Sequence, residues 1–311
     1  MNYRHAYHAG NFADVLKHAT LAMVIAHLKQ KDAPFRVIDT HAGPGIYDLA
    51  AEQAEKTGEW RQGIGRLLAP GAEPLPAAAA EALAPYLAAV RALNGGDALS
   101  LYPGSPWLAR HLLRRGDRLV VNELHPEDAA ELKAHFARDR QTKVLALDGW
   151  IALKSLLPPP ERRGVVLVDP PFEAPGEMDR LVTGLRAGLA RFATGIYLLW
   201  YPIKTVAAID ALYATLLPVC PKPPLRVESF VRAPRDAQVL NGAGLAIINP
   251  PYRLEEQLAA VLPEITRRLA VAPGAYHRLE HATAPVAAPA RPPAKRPKMP
   301  EKSALSKRGR R

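Results

Sequence analysis

Four short apolar runs of strand type, "FRVIDTHAGPG", "DRLVVNELHP", "TKVLALDGW" and "GVVLVDPPF", each stop at a polar or glycine-bearing turn. Helical stretches separate the last three, and this alternation constrains the fold more than any other feature of the chain. Strands joined by crossover helices lie parallel in one sheet with helices on both faces. Such sheets bind ligands beyond the carboxyl ends of their strands. Three further runs, "GIYLLWYP", "LRVESFVR" and "LAIINPP", alternate with helices expected at about residues 177–191, 206–217 and 254–269. The expectation is an α/β fold, a doubly wound, mostly parallel, seven-stranded Rossmann-like sheet.

A leading helix is expected over "NFADVLKHATLAMVIAHLKQ", with Asn11 at its cap and Val15, Leu16, Ala19, Met23 and Leu28 at helical spacing. Asp14, Lys17 and His18 then share one face of its first two turns and can point together into a cleft. About 70 residues separate the first strand's turn from the second strand, several times an ordinary connection. They include the alanine-rich "LPAAAAEALAPYLAAVRALN". Residues from about 51 to 104 therefore read as a small helical insertion within a single domain spanning 1–281.

With 311 residues and 48% hydrophobic content, that domain can bury a sizeable core. The single cysteine, Cys220, excludes an intramolecular disulfide and any cysteine-based zinc site. No apolar run reaches the roughly 18 residues of a membrane span, and "MNYRHAYHAGN" lacks a signal-peptide core, so a cytoplasmic protein is expected. Five of the ten histidines fall by residue 41, but without regular ligand spacing they read as a polar face shaping a pocket, and no metal is expected. The net charge of +11 is concentrated at one end: from Ala282 to Arg311 nine Lys and Arg face one acid, Glu301, which leaves the body at +3. This Pro-, Ala- and Lys-rich tail, 282–311, lacks apolar periodicity and is expected to be disordered, either attracting phosphates or merely solubilising the chain.

The strand ends carry the chemistry. "DTHAGPG", Asp39 to Gly45, places two glycines where a backbone must approach a ligand closely, although a plain turn would look the same. The second strand ends at Glu123, whose carboxylate suits a pair of ribose hydroxyls. The third ends at Asp148, placed to accept from an adenine amino group, with Gly149 leaving room for the ring. Together these outline one nucleoside-shaped ligand. At the fourth, "DPPF", the prolines remove two backbone donors, leaving the Asp169 carboxylate and the Pro170 carbonyl as converging acceptors for an exocyclic amine. Phe172 would lie against a base, where stacking is worth roughly 1 to 3 kcal/mol. The similar "NPPY", Asn249 to Tyr252, has no acid-bearing strands leading to it and is expected only to wall the pocket.

Taken in this order, the features resemble those of a class I S-adenosylmethionine-dependent methyltransferase acting on an amino group. The resemblance is closer than fold. "YRHAYHAGNFADVLKH", "DTHAGPGIYDL", "YPGSPWLA", "NELHP", "ALDGW", "RRGVVLVDPPFE", "RFATGIYLLWYPI" and "NPPYRLEEQL" resemble the RlmJ family of bacterial 23S rRNA adenine-N6 methyltransferases from Tyr3 to about Leu269. The resemblance implies cofactor contacts at His18, His41, Ser105, Glu123, Asp148, Gly149 and Asp169. It also implies catalysis at Asp169 and an RNA contact at Tyr3. Phe172 stands where the family commonly carries tyrosine, and the basic tail falls outside the shared motifs.

The reaction so implied is methylation of N6 of one adenosine in 23S rRNA, in protein-free RNA or an early assembly intermediate, by a monomeric enzyme. DNA adenine methylation shares the same loop, and an RNA-binding assembly factor without activity would share the fold. Protein glutamine methylation would need the asparagine loop at the fourth strand, whereas here it lies at the last.

Overall fold

The computed structural model describes residues 5–96 and 98–283. Tyr3 and nearly all of the basic tail lie outside the described residues. A short 3-10 turn, His5–Tyr7, leads into α1, Phe12–Leu28, whose cap is Asn11: its side chain accepts from the backbone N–H groups of Ala13 and Asp14. Then follow β1 (Arg36–Asp39), β2 (Ile46–Asp48), α2 (Glu52–Thr57), α3 (Glu59–Gln62), α4 (Ile64–Leu68), α5 (Ala77–Asn94), β3 (Leu101–Pro103), α6 (Ser105–Leu112) and β4 (Arg118–Asn122). The second half contains α7 (Pro126–His135), β5 (Thr142–Leu145), α8 (Gly149–Ser155), β6 (Gly164–Val168), α9 (Glu177–Arg191), β7 (Ile196–Ile203) and α10 (Val206–Leu216). It closes with β8 (Leu225–Phe230), β9 (Gly242–Ile248), α11 (Leu254–Leu269) and β10 (Tyr276–His281).

The main sheet runs β10-β8-β9-β7-β6-β1-β4-β5. It has eight strands, where seven were expected. The extra strand, β10, is "YHRLEH", an antiparallel partner of β8 at the sheet edge. Half-exposed edge strands carry charged side chains, so the apolar signature used to find the others is missing here. The five strands from β7 to β5 are mutually parallel, whereas β9 runs antiparallel to both β7 and β8.

Alternation across the parallel strands divides the core in two. Val37, Val165, Leu167 and Leu198 face α1, α5, α6 and α11, while Ile38, Val166, Val168 and Leu199 face α8, α9 and α10. All five residues of β6 are buried, which explains why a strand covered on both faces reads as an uninterrupted apolar run. The expected insertion contains α2 to α5 and ends in a strand: β3 pairs antiparallel with β2, so a two-stranded ribbon closes its base. Among the described residues no helix is long and apolar enough to cross a membrane.

From β1 the chain steps outward to β4 and β5, then returns to β6 on the other side of β1. That reversal opens a crevice at the carboxyl ends of β1 and β6, where ligands bind in open α/β sheets. The "NPPY" turn is elsewhere. Because β9 is antiparallel to β7, Ile248 pairs with Tyr197 at the start of β7, and Asn249 emerges at the opposite end of the parallel strands from Asp169. It walls no part of the crevice. The Asn249 amide donates instead to the carbonyls of Ala193 (2.9 Å) and Gly195 (2.8 Å), and Tyr252 is 94% exposed.

Candidate active site

A cleft of about 960 Å³, counting its open mouth, occupies that crevice, and His18, His41, Ser105, Glu123, Asp148, Gly149, Asp169 and Pro170 all line it. Residues from six separate stretches of sequence therefore meet around one space. Phe172 stands just behind: its ring packs on Trp200 of β7, with centroids 5.6 Å apart and planes at 59°.

The floor is built on α1. Asp14, Lys17 and His18 are buried, and Lys17 Nζ lies 2.8 Å from Asp14 Oδ1 while also donating to Oδ2 of Asp169. Asp14 further accepts from the Gly10 backbone (2.9 Å) and contacts His5 Nε2 (3.0 Å). Burial alone would favour a neutral amine at Lys17, but Asp14 and Asp169 outweigh it and raise its pKa above the usual lysine value. Burial likewise opposes charge on Asp14, yet His5 and Lys17 hold its carboxyl well below the usual range. His18 behaves differently. Burial pushes its pKa down to about 3, so the ring is neutral, and Nδ1 sits 2.8 Å from Tyr102 Oη, itself 3.0 Å from Tyr86 Oη.

At the end of β1, Asp39 is 1% exposed and burial lifts its pKa to about 6. Its Oδ2 accepts from Ser105 Oγ (2.6 Å) at the start of α6, and Oδ1 accepts from the His41 backbone (3.2 Å). His41 is also kept neutral by burial, with its pKa pushed down to about 4. Its ring lies over α8: a Cβ added to Gly149 would meet His41 Nε2 at 2.3 Å. Gly149 thus makes room for the His41 ring while itself lining the cleft.

Glu123 follows β4 and is 9% exposed. Its two oxygens accept from the backbone of Gly43 and of His125, both at 2.7 Å, so it also braces the glycine loop. Gly43 has φ +62°, which favours glycine, and a Cβ there would meet Tyr47 Oη at 2.4 Å. Burial raises the Glu123 pKa from its ordinary value. Asp148 caps α8, its Oδ1 accepting from Trp150 (2.9 Å) and Ile151 (3.1 Å). Among the described residues no group of three or more His, Cys, Asp or Glu could hold a metal ion.

Two residues central to this geometry were not singled out as ligands from sequence. Lys17 had only its helical spacing from Asp14 and His18 to mark it. Asp39, last in its strand and first in "DTHAGPG", looked like part of a turn until the fold brought Ser105 to it across 66 positions of chain.

A family model described as Ribosomal RNA large subunit methyltransferase D, RlmJ, matches residues 32–281. The chain is 42% identical to Ribosomal RNA large subunit methyltransferase J of Escherichia coli over 269 residues, covering 86% of this chain and 94% of that one. The protein of the same name from Haemophilus influenzae is 40% identical, with the same coverage. A crystal structure of a Legionella pneumophila protein, 34% identical, superposes with a TM-score of 0.80 over 89% of this chain and 99% of that one. The chain belongs to the RlmJ family of ribosomal RNA large subunit methyltransferases.

Proposed function

We propose that this protein methylates the N6 amino group of an adenosine in 23S rRNA, using S-adenosylmethionine and giving N6-methyladenosine and S-adenosylhomocysteine. The observation that carries the reading is Asp169. Its carboxylate is pinned by a charged lysine, opens into the same cleft as Glu123 and Asp148, and precedes two residues that have no backbone N–H.

The residues present fit the cofactor. Each Glu123 oxygen uses one lone pair on a backbone N–H and keeps another for a ribose hydroxyl. Asp148 commits Oδ1 to its helix, which leaves Oδ2 for the adenine amine. The glycine loop lets the backbone approach closely. His18 and His41, both neutral, place no positive charge beside a sulfonium. When bound, S-adenosylmethionine supplies a methyl group activated by that sulfonium.

On this reading Asp169 Oδ1 and the Pro170 carbonyl accept the two N–H bonds of the target amine. Holding both turns the nitrogen lone pair out of the ring and toward the methyl group. Lys17 keeps the carboxylate from rotating. The nitrogen gains a methyl and loses a proton; the ion pair with Lys17 suits Asp169 to orienting the amine, and the proton leaves to water. The Phe172 ring receives the base, which must first leave any helical stack at a few kcal/mol, so an unpaired adenosine in protein-free or early-assembly rRNA is favoured.

The test is incorporation of tritiated methyl groups into unmodified 23S rRNA, followed by nucleoside analysis. Wild type should yield N6-methyladenosine, with duplex DNA at matched salt a much poorer substrate, and Asp169→Ala should lose about 100-fold or more in rate. Equal incorporation by the two proteins, or a product other than N6-methyladenosine, would refute the proposal.

A further inference from the structure

We infer that Glu177 is a positioning residue that locks the Asp-Pro-Pro-Phe turn in its working shape. The inference rests on the reading of that turn as the amine site. Neither Pro170 nor Pro171 has a backbone N–H, so the amide of Phe172 is the first backbone donor after Asp169 through which the scaffold can hold the turn. Glu177 takes that donor: its Oε2 accepts from Phe172 N at 2.6 Å.

Three features make this a constraint and not an incidental contact. Phe172 has φ +52°, in the left-handed region that a bulky residue occupies only when its surroundings impose it. Glu177 is 7% exposed, so a carboxylate has been buried at the start of α9 to make this bond. Its ion-pair neighbour on the helix, the largely exposed Arg180, stands 3.8 Å from the other oxygen, Oε1, and leaves Oε2 to the turn.

Phe172 is thereby held at two points, its amide by Glu177 and its ring by Trp200. Fixing that amide fixes the Pro170 carbonyl two residues earlier, and with it the angle between the two acceptors proposed for the amine. Glu177 and the turn line the same cleft as Glu123 and Asp148, but those two acids sit on other strand ends, so loosening the turn would misdirect the amine while they keep their own bonds.

Three variants separate reach from charge. Glu177→Gln keeps an acceptor oxygen at the same reach without charge; Glu177→Asp keeps the charge at the helix start but falls one methylene short; Glu177→Ala has neither. Methyl transfer to 23S rRNA should stay within about threefold of wild type in kcat for Gln and fall about 10- to 100-fold for Asp and Ala. S-adenosylmethionine affinity by calorimetry should stay within about threefold of wild type in all three, far less than the loss in kcat for Asp and Ala; the Gln protein should share the wild-type melting temperature and the Asp protein should still unfold cooperatively. The reverse order, with Asp active and Gln impaired, would overturn the inference, as would wild-type kcat in the Ala protein. A wild-type protein inactive on 23S rRNA would instead refute the proposed function, and this inference would fall with it.

Discussion

Phe172 supplies a ring and no hydroxyl at a position where the resemblance to the family implies tyrosine. Stacking depends on the ring, and a missing hydrogen bond is worth only about 0.5 to 1.5 kcal/mol, so Phe172→Tyr should change kcat/KM for 23S rRNA by less than about tenfold. Phe172→Ala, by contrast, removes the stacking surface and should cost about 1 to 3 kcal/mol in the same quantity. Asp39 offers a second test. Its folded pKa, about 6, lies above that of an unfolded aspartate, so its charge is a cost to folding that is fully present above pH 6 and fades as the pH falls toward 4. Asp39→Asn should therefore gain on wild type by about 1 to 3 kcal/mol more at pH 8 than at very low pH, and roughly half of that excess should be gone by pH 5. Paired thermal melts at pH 8 and pH 5 check this, and an equal difference at both would show that the Asp39 charge is not penalised. Such residues are poorly legible in sequence because burial confers their properties.

At the level of elements, the two Pro-Pro turns show how one local pattern takes different work. "DPPF" follows β6, parallel to its neighbours, and opens into the cleft; "NPPY" follows β9, whose antiparallel course carries it to the far end. There Asn249, at φ +54°, ties the loop between α9 and β7 through two carbonyls. Asn249→Ala should lower unfolding free energy by about 1 to 3 kcal/mol through lost bonds and left-handed backbone strain, while kcat on 23S rRNA stays at wild type. Denaturant melts beside a methylation assay would decide it, and a large kcat loss in a stable protein would contradict the placement. Uninterrupted apolar runs identified both strands, but direction within the sheet leaves no local trace. β10 was missed for the complementary reason: an edge strand needs no apolar face on its open side.

Over the whole molecule, the remaining question of scale is charge. The body carries +3 and residues 282–311 carry +8, so most of the attraction to a polyanion resides in the tail. A chain ending at residue 283 should keep its S-adenosylmethionine affinity but bind 23S rRNA with a shallower salt dependence, the slope of log K against log salt falling by about 0.7 to 0.9 for each phosphate the tail no longer neutralises. An unchanged slope would make the tail a solubilising segment.

Sequence alone determined the seven apolar strands and the helices between them, the doubly wound class that implies a crevice, and the positions of Glu123, Asp148 and Asp169 just after strands, because strand ends are marked by local chemistry: apolar runs stopped by glycine, proline or charge. Tertiary structure decided what those acids touch. The clasp of Lys17 on Asp169, Ser105 on Asp39, His41 over Gly149 and Glu177 on the Phe172 amide all depend on side-chain reach or on backbone conformation. Most join residues far apart in the chain, and burial, which no short stretch of sequence encodes, sets which of them carry charge.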